Sequence, residues 1–130
     1  MALSLALMSV LRDGDEVINF FPCYPSYTNQ IFLTNSKTKI KNFNLNKNNF
    51  EKYLKKLKKI FSSKTRAVIL NFPNNPTGKV LCTEEIMKLK KIFSKQNCWL
   101  ILDEIYEHLI FSKSKHFSFA SDTILKKRCI

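Results

Sequence analysis

Two short apolar runs on either side of an amphipathic pattern constrain the fold of this chain most. Ala67-Val68-Ile69-Leu70 and Trp99-Leu100-Ile101-Leu102 are continuous apolar segments of strand length, without the alternation of a half-exposed strand. Strands of this kind are buried on both faces, as in parallel sheets. Between them, residues 83–93 place apolar side chains at helical spacing. The order strand, helix, strand predicts a βαβ unit.

The same alternation extends along the rest of the chain. It predicts helices over residues 1–11, 27–33, 50–61 and 84–93, the first buried and the last capped by Thr83, and strands over Glu16–Phe21, Lys39–Leu45, Arg66–Phe72 and Trp99–Leu102. No internal repeat, low-complexity linker or domain boundary interrupts it. The sequence therefore predicts an α/β fold over residues 1–130, a mostly parallel sheet flanked by helices around one core.

The charge of the chain raises the question of a nucleic-acid partner, because the formal net charge is +12. Nineteen of the 22 basic residues are lysines, whereas arginine is the usual residue for reading base edges and phosphates. Several lysines fall on the polar side of the third predicted helix, namely Lys52, Lys55, Lys56, Lys58 and Lys59. This placement favours a solvated surface over a nucleic-acid footprint.

Membrane, zinc and disulfide classes have little support in the sequence. No apolar stretch reaches the roughly 18 residues that would span a bilayer, and the first residues lack the basic region and cleavage site of a signal peptide. Cys23, Cys82, Cys98 and Cys129 are dispersed without a CxxC pair. We expect a cytoplasmic protein with buried free thiols.

In parallel sheets, ligands bind beyond the carboxyl ends of the strands, so the residues after each predicted strand are informative. The first strand is followed by FFPCYPSY, in which Tyr24 and Tyr27 flank Pro25. These aromatic rings could stack on a planar ligand or pack on the edge of the sheet, and on the residues alone packing is favoured.

The third predicted strand is followed by NFPNNPTG. Pro73 and Pro76 fix φ and push the preceding residues into extended geometry, and Gly78 can adopt a conformation that other residues avoid. Such a loop would point an asparagine amide in a fixed direction. A rigid turn into the next helix is the simpler interpretation.

The fourth predicted strand runs into LILDEIYEHL, which places a carboxylate at the end of an apolar segment. Asp103 is costly to ionise there unless a cationic group faces it, so it is a helix cap, an ion-pair partner or the counter-ion of a protonated ligand nitrogen. Tyr106 lies on the same side if a helical turn follows. A carboxylate, a phenol and an amide together suit a planar heteroaromatic cofactor with a ring nitrogen and a phenolic oxygen.

Three segments carry a family resemblance: GDEVINFFPCYPSY, KTRAVILNFPNNPTGKVLCTEEI and WLILDEIYEHLIF. In order and spacing they resemble the class I and II aminotransferases of fold type I, which use pyridoxal 5'-phosphate, and the aspartate aminotransferases among them. The resemblance runs from Ala2 to about Arg128. It implies transfer of an amino group from an amino acid to a 2-oxo acid by a homodimeric enzyme, with neither nucleic acid nor membrane as a partner.

The resemblance also implies a role for each of four residues. Asn75 and Tyr106 hydrogen-bond the phenolic oxygen of the cofactor, and Asp103 pairs with its pyridinium nitrogen. Tyr24 stacks on the ring face and matches the family pattern better than Tyr27 does.

Some parts of the family pattern find no match in residues 1–130. These are the Schiff-base lysine, for which no lysine here has the family's Ser-Lys context, the amino-terminal segment that anchors the phosphate, and the carboxy-terminal small domain. We therefore expect a partial cofactor-binding large domain that is inactive alone. A noncatalytic remnant or binding protein, and a pyridoxal-phosphate-dependent β-lyase or synthase of the same fold, stay open as alternatives.

Overall fold

Four strands form one parallel sheet in the computed structural model, which describes residues 1–34, 37–44 and 50–130. The strands are β1 (Glu16–Phe21), β2 (Lys39–Asn44), β3 (Thr65–Asn71) and β4 (Trp99–Asp103), and the helices are α1 (Ala2–Val10), α2 (Ser26–Thr34), α3 (Phe50–Ile60) and α4 (Thr83–Phe93). The predicted α/β class and parallel sheet are confirmed. Leu45, predicted to end the second strand, lies outside the described residues.

The strand order β2-β1-β3-β4 fixes where the helices lie. The chain moves outward from β1 to β2 and then returns across β1 to β3. Right-handed crossovers that run in opposite directions place their helices on opposite faces of a sheet. Accordingly, α1 and α2 pack on one face, and α3 and α4 pack on the other. The order reverses between β1 and β3, the position at which open α/β sheets bind ligands.

Each strand divides its side chains between two cores, because successive residues of a strand point to opposite faces. Val68 and Leu100 pack with α3 and α4, whereas Ile69 and Ile101 pack with α1 and α2. By the same alternation, the last residues of β3 and β4 turn their side chains toward the α1 and α2 face.

The expectation that the first helix is buried is wrong for most of its length. Leu7 and Val10 are buried, but Leu5 and Met8 are 59% and 63% exposed. Helix α1 packs through one side, against α2 and β4, and its outer side meets solvent. Its apolar composition alone does not show which side has a neighbour.

The predicted cap of the fourth helix is also shifted by one residue. Cys82, rather than Thr83, is the N-cap of α4, and the Cys82 N–H donates to the Glu85 carboxylate at 3.0 Å. An acidic side chain in the first turn thus satisfies a backbone donor at the helix end.

Helix α3 has the amphipathic pattern expected of it. Leu54 and Leu57 are buried. The lysines whose side chains the structure describes on this helix are exposed, namely Lys55, Lys56, Lys58 and Lys59. The side chain of Lys52 lies outside the described part of the chain. Within the described residues, none of the helices has both the length and the apolar character needed to cross a bilayer.

The last residues of the chain run beside β4. The Ile130 N–H donates to the Leu100 carbonyl at 3.0 Å, and the Leu102 N–H donates to the Ile130 carbonyl at 2.8 Å. Upstream, the Asp122 carboxylate lies 2.6 Å from Lys90 Nζ on α4 and accepts backbone hydrogen bonds from the turn that follows it. The hydrogen bond from Lys90 lowers the pKa of Asp122 to about 2.

Replacing Leu100 by alanine tests whether the middle of β4 is buried in the core. Leu100 is 1% exposed, so Leu100→Ala should lower the free energy of unfolding by about 2–5 kcal/mol through lost burial and a residual cavity. Leu33→Ala is the matched control, because Leu33 is 85% exposed and its loss should cost less than about 0.5 kcal/mol. Urea unfolding followed by circular dichroism measures both, and equal effects would contradict this core assignment.

The Asp122 contact predicts part of the acid sensitivity. Because the folded-state pKa of Asp122 lies below its ordinary value of 3.8, the stability it adds is present above about pH 3.8 and is lost as the pH falls toward 2. Asp122→Asn retains the capping acceptor but removes the charge. We expect a shallower loss of stability between those pH values in the variant. Parallel acid-unfolding curves of variant and wild type would count against this role.

Candidate functional site

One buried amide joins the ends of β3 and β4. Asn71 is 3% exposed and pairs in register with Asp103. Its Nδ2 donates to the Asp103 backbone carbonyl at 2.9 Å, and its Oδ1 accepts from the Asn75 N–H at 2.8 Å. The side chain thus satisfies one backbone group on each of two loops and fixes their separation.

The loop after β3 is fixed further by Asn74, which is also 3% exposed. Its Nδ2 donates to the Pro22 carbonyl in the loop after β1 at 3.3 Å, and its Oδ1 accepts from the Thr77 hydroxyl at 2.6 Å. Gly78 closes the turn with a φ of +65°, a conformation that favours glycine. These hydrogen bonds and the glycine turn hold the loop against its neighbours, while its rigidity stays a prediction.

Asn75 and Tyr106 meet at the end of this loop. Asn75 Nδ2 donates to Tyr106 Oη at 3.3 Å. An amide nitrogen carries two N–H groups and a phenol carries one O–H, so both side chains can also donate to a third atom between them. Tyr106 reaches this position because a turn follows β4, in which the Glu107 N–H donates to the Glu104 carbonyl at 2.9 Å.

Asp103 lies at the end of β4, partly exposed, with its two carboxylate oxygens in different surroundings. Oδ2 accepts from the Tyr27 hydroxyl at 2.5 Å, while Oδ1 has a longer contact of 3.4 Å with the Ile105 N–H. Burial first, and then this hydrogen bond to Asp103, raises the pKa of Tyr27 far above its ordinary value. Tyr27 therefore remains a neutral donor throughout the physiological pH range.

The two tyrosines of the loop after β1 separate into different roles. Tyr27 is 1% exposed and packs in the core on the α1 and α2 face, so packing is confirmed for this ring. Tyr24 is 45% exposed, and its ring lies 5.7 Å from that of Tyr27 with an interplanar angle of 80°. An exposed aromatic face is therefore held in place by a buried one.

A cleft of about 640 Å³ opens between the loop after β3 and residues 106–112. Asn75 and Tyr106 line it, together with apolar side chains that include Leu109 and Phe111. Its volume is in the range of small-molecule sites. Asp103 and Tyr24 lie outside this lining, and none of the described residues that line it is a lysine.

The four predicted site residues therefore form one connected group. Asn75 contacts Tyr106 directly, Tyr24 reaches Asp103 through Tyr27, and the Asn71 amide links the two pairs. The donor set fits a pyridinium ring with an adjacent oxygen: a carboxylate for the ring N–H, an amide and a phenol for the oxygen, and an exposed aromatic face.

Sequence reasoning missed Asn71 and Asn74 and treated Tyr27 only as an alternative to Tyr24. A signal for Asn71 was present, because a polar residue that ends a buried strand needs a hydrogen-bond partner on a neighbouring strand. The partners of Asn74 and Tyr27 are set by loop packing across long sequence separations, which the sequence pattern does not contain.

Asn71→Asp tests the link between the two loops. The introduced carboxylate can still accept from Asn75 but faces the Asp103 carbonyl without a proton to donate, so we expect a loss of about 1–3 kcal/mol of unfolding free energy at pH 7. The loss should shrink as the pH falls to roughly 3, because the introduced group then becomes protonated. Asn44→Asp at the exposed end of β2 is the control. Urea unfolding at both pH values measures the difference, and an equal loss at both would contradict the assigned contacts.

Comparisons with known proteins agree with this arrangement. The sequence model of the family described as aminotransferase class I and II matches residues 1–126. An aspartate aminotransferase of Thermotoga maritima is 38% identical over 111 residues, which cover 85% of this chain and 29% of that protein. A probable kynurenine–oxoglutarate transaminase of Saccharomyces cerevisiae is 40% identical over 121 residues, covering 83% of this chain and 26% of that protein.

The structure of an Escherichia coli methionine aminotransferase matches 98% of this chain and 33% of its own length, with a TM-score of 0.87 and 34% identity. The chain therefore spans about a quarter to a third of the length of these relatives. Members of the matched family depend on pyridoxal phosphate. This chain belongs to the class I and II aminotransferase family.

Proposed function

We propose that this chain is the ring-binding part of a pyridoxal-phosphate-dependent aminotransferase, which transfers an amino group from an amino acid to a 2-oxo acid. The observation that carries the proposal is the position of the Asp103 carboxylate, bonded to Tyr27 and linked through Asn71 to Asn75 and Tyr106. Family membership supplies the chemical context for this group of residues.

Asp103 is proposed to pair with the ring nitrogen and keep it protonated. Its Oδ1 is the suitable oxygen, since Oδ2 is engaged by Tyr27. When bound, pyridoxal phosphate supplies an electron sink for the pair released from the substrate Cα–H bond. A carboxylate at the ring nitrogen favours that chemistry, because a nearby negative charge stabilises the protonated ring.

Asn75 and Tyr106 are proposed to donate to the phenolic oxygen of the ring. Their polar atoms are 3.3 Å apart, so one acceptor can lie within hydrogen-bond distance of both. Tyr24 is proposed to lie against the ring face, which its exposed side chain makes accessible. Together these contacts would orient a planar ring. None of them needs a lysine among the described residues that line the cleft.

The substrate class is proposed only as an amino acid and a 2-oxo acid. Relatives of similar identity are named for aspartate, methionine and kynurenine, so similarity at this level does not single out one donor. We further propose a homodimer in the cytoplasm, with neither nucleic acid nor membrane as a partner. Four free thiols are compatible with that reducing compartment.

A second candidate is a protein that binds the ring without turnover. It is favoured by one observation, that the described residues lining the cleft beside Asn75 and Tyr106 contain no lysine. Such a protein would share Asp103 and the ring contacts with the first candidate but would form no covalent bond to the cofactor aldehyde.

Titration with pyridoxal 5'-phosphate tests the shared part of both candidates. We expect saturable binding to the wild-type chain, seen as a change in cofactor absorbance, and affinity reduced about tenfold or more in Asp103→Asn, because the negative charge that stabilises the protonated ring is lost. Asp122→Asn removes a carboxylate in the carboxy-terminal segment and should bind as the wild type does. Absence of saturable binding to the wild type would contradict the proposal.

Borohydride reduction of the mixture separates the two candidates. Because no described lining residue is a lysine, we expect no stoichiometric label on any one lysine when peptides are mapped by mass spectrometry. Stoichiometric labelling of a single lysine would contradict this expectation and would identify an amine that reaches the cofactor.

A further inference from the structure

Tyr27 is a large side chain in the core of the α1 and α2 face that carries a polar group to the site. It is 1% exposed and belongs to the first turn of α2, where it packs in a core that also contains Leu7 and Ile31. A buried phenol requires a hydrogen-bond partner, and the Tyr27 hydroxyl donates to Asp103 Oδ2 at 2.5 Å. The ring is therefore fixed by packing and the hydroxyl by the carboxylate.

We propose that Tyr27 is a positioning residue for two contacts of the ring site. Its hydroxyl orients the Asp103 carboxylate, which would meet the ring nitrogen, and its ring supports Tyr24, which would lie against the ring face. This inference rests on the proposed function, because Asp103 and Tyr24 matter in this way only if a planar ring binds between them. Nothing in the motif pattern assigned Tyr27 this role.

The carboxylate needs such a partner because the terminal torsion of an aspartate is only loosely restricted. Tyr27 takes Oδ2 in a short hydrogen bond, whereas the contact of Oδ1 with the Ile105 N–H is 3.4 Å, longer than an ordinary N–H···O bond. One oxygen is thus held firmly, and the other keeps capacity for a ligand N–H. The orientation of the ligand-facing oxygen follows from the position of the phenol.

The type of donor also matters for the charge at the site. A lysine or protonated histidine in this position would neutralise Asp103, whereas a phenol donates a hydrogen bond without adding positive charge. Burial and the adjacent carboxylate both raise the pKa of Tyr27, so the phenol does not ionise and repel Asp103 at neutral pH. The negative charge of Asp103 thereby stays available to a ring N–H.

The same phenol ring supports the aromatic side chain that would cover the ligand. Tyr24 is 45% exposed and meets the Tyr27 ring edge to face, with centroids 5.7 Å apart. The Tyr27 N–H also donates to the Tyr24 carbonyl at 3.1 Å. Tyr24 is therefore tied to Tyr27 through both backbone and ring, and a shift of Tyr27 would move both contacts of the proposed ring site.

Tyr27→Phe is the informative change, because it removes the hydroxyl and retains the ring. Tyr53→Phe is the matched control, since Tyr53 is buried on the opposite face of the sheet. Without ligand, we expect the wild type to show a slowly exchanging phenol proton far downfield in its ¹H NMR spectrum. The signal should vanish in Tyr27→Phe, shift upfield in Asp103→Asn and persist in Tyr53→Phe.

Titration with pyridoxal 5'-phosphate gives the second readout. We expect affinity about tenfold weaker in Tyr27→Phe than in the wild type, and within about twofold in Tyr53→Phe. The pH midpoint at which the bound ring loses its proton, followed by absorbance, should also be lower in Tyr27→Phe than in the wild type. A merely structural role would not move that pH midpoint.

The outcomes separate this inference from the proposed function. If the wild type binds the cofactor and Tyr27→Phe binds equally well with an unchanged pH midpoint, the inference is overturned and the proposed function stands. If the wild type does not bind the cofactor, the proposed function is contradicted. The inference is then contradicted too, because it depends on a ring that binds beside Asp103 and Tyr24. If Tyr27→Phe does not fold, an unshifted phenol signal in Asp103→Asn overturns the inference, and an upfield shift supports it.

Discussion

The candidate site depends first on the two hydrogen bonds of the Asn71 side chain. They join the backbone of Asp103 to that of Asn75, at distances of 2.9 and 2.8 Å. An asparagine amide can do this because it has a donor and an acceptor on one rigid plane. Residue types with only one of these functions would leave a buried backbone group unsatisfied, at a cost of about 1–3 kcal/mol. The buried Asn71 side chain therefore fixes the distance between Asp103 and the pair formed by Asn75 and Tyr106, although Asn71 itself need not touch a ligand.

The parallel sheet makes this link possible. Parallel pairing places the carboxyl ends of β3 and β4 side by side, and the register brings Asn71 opposite Asp103. Alternation along the strands turns both toward the α1 and α2 face, where Tyr27 enters from the first turn of α2. The strand order reverses next to β1, so the loop carrying Tyr24 opens at the same edge. Fold topology, rather than nearness in sequence, gathers the residues of the site.

The sequence predicted the elements well because their signals are periodic. The apolar runs of β3 and β4 and the amphipathic faces of α3 and α4 each repeat over several residues, so single exceptions matter little. Asp103 and Tyr106 were singled out because a carboxylate at the end of a buried strand is unusual and the tyrosine follows it by three residues, whereas Asn75 was identified through the family resemblance. The ligand contacts of all three stay predictions. The hydrogen bonds of Tyr27 and Asn74 were not predicted, because their partners lie 76 and 52 residues away in the sequence. The burial expected for α1 was wrong because composition does not show which face of a helix has a neighbour.

The electrostatics of the site differ from those of the rest of this basic chain. The formal net charge is +12, because 22 lysines and arginines face 10 aspartates and glutamates. Among the described residues, ion pairs with lysine or arginine involve Asp13, Asp15, Glu16, Glu84, Glu85 and Asp122. The hydrogen bonds that the described residues make to the Asp103 carboxylate come instead from a phenol and a backbone N–H. Neutral donors stabilise a carboxylate without cancelling its charge, so Asp103 keeps a negative charge that can attract an external cationic N–H. A protonated ring nitrogen is the kind of partner that such a carboxylate favours.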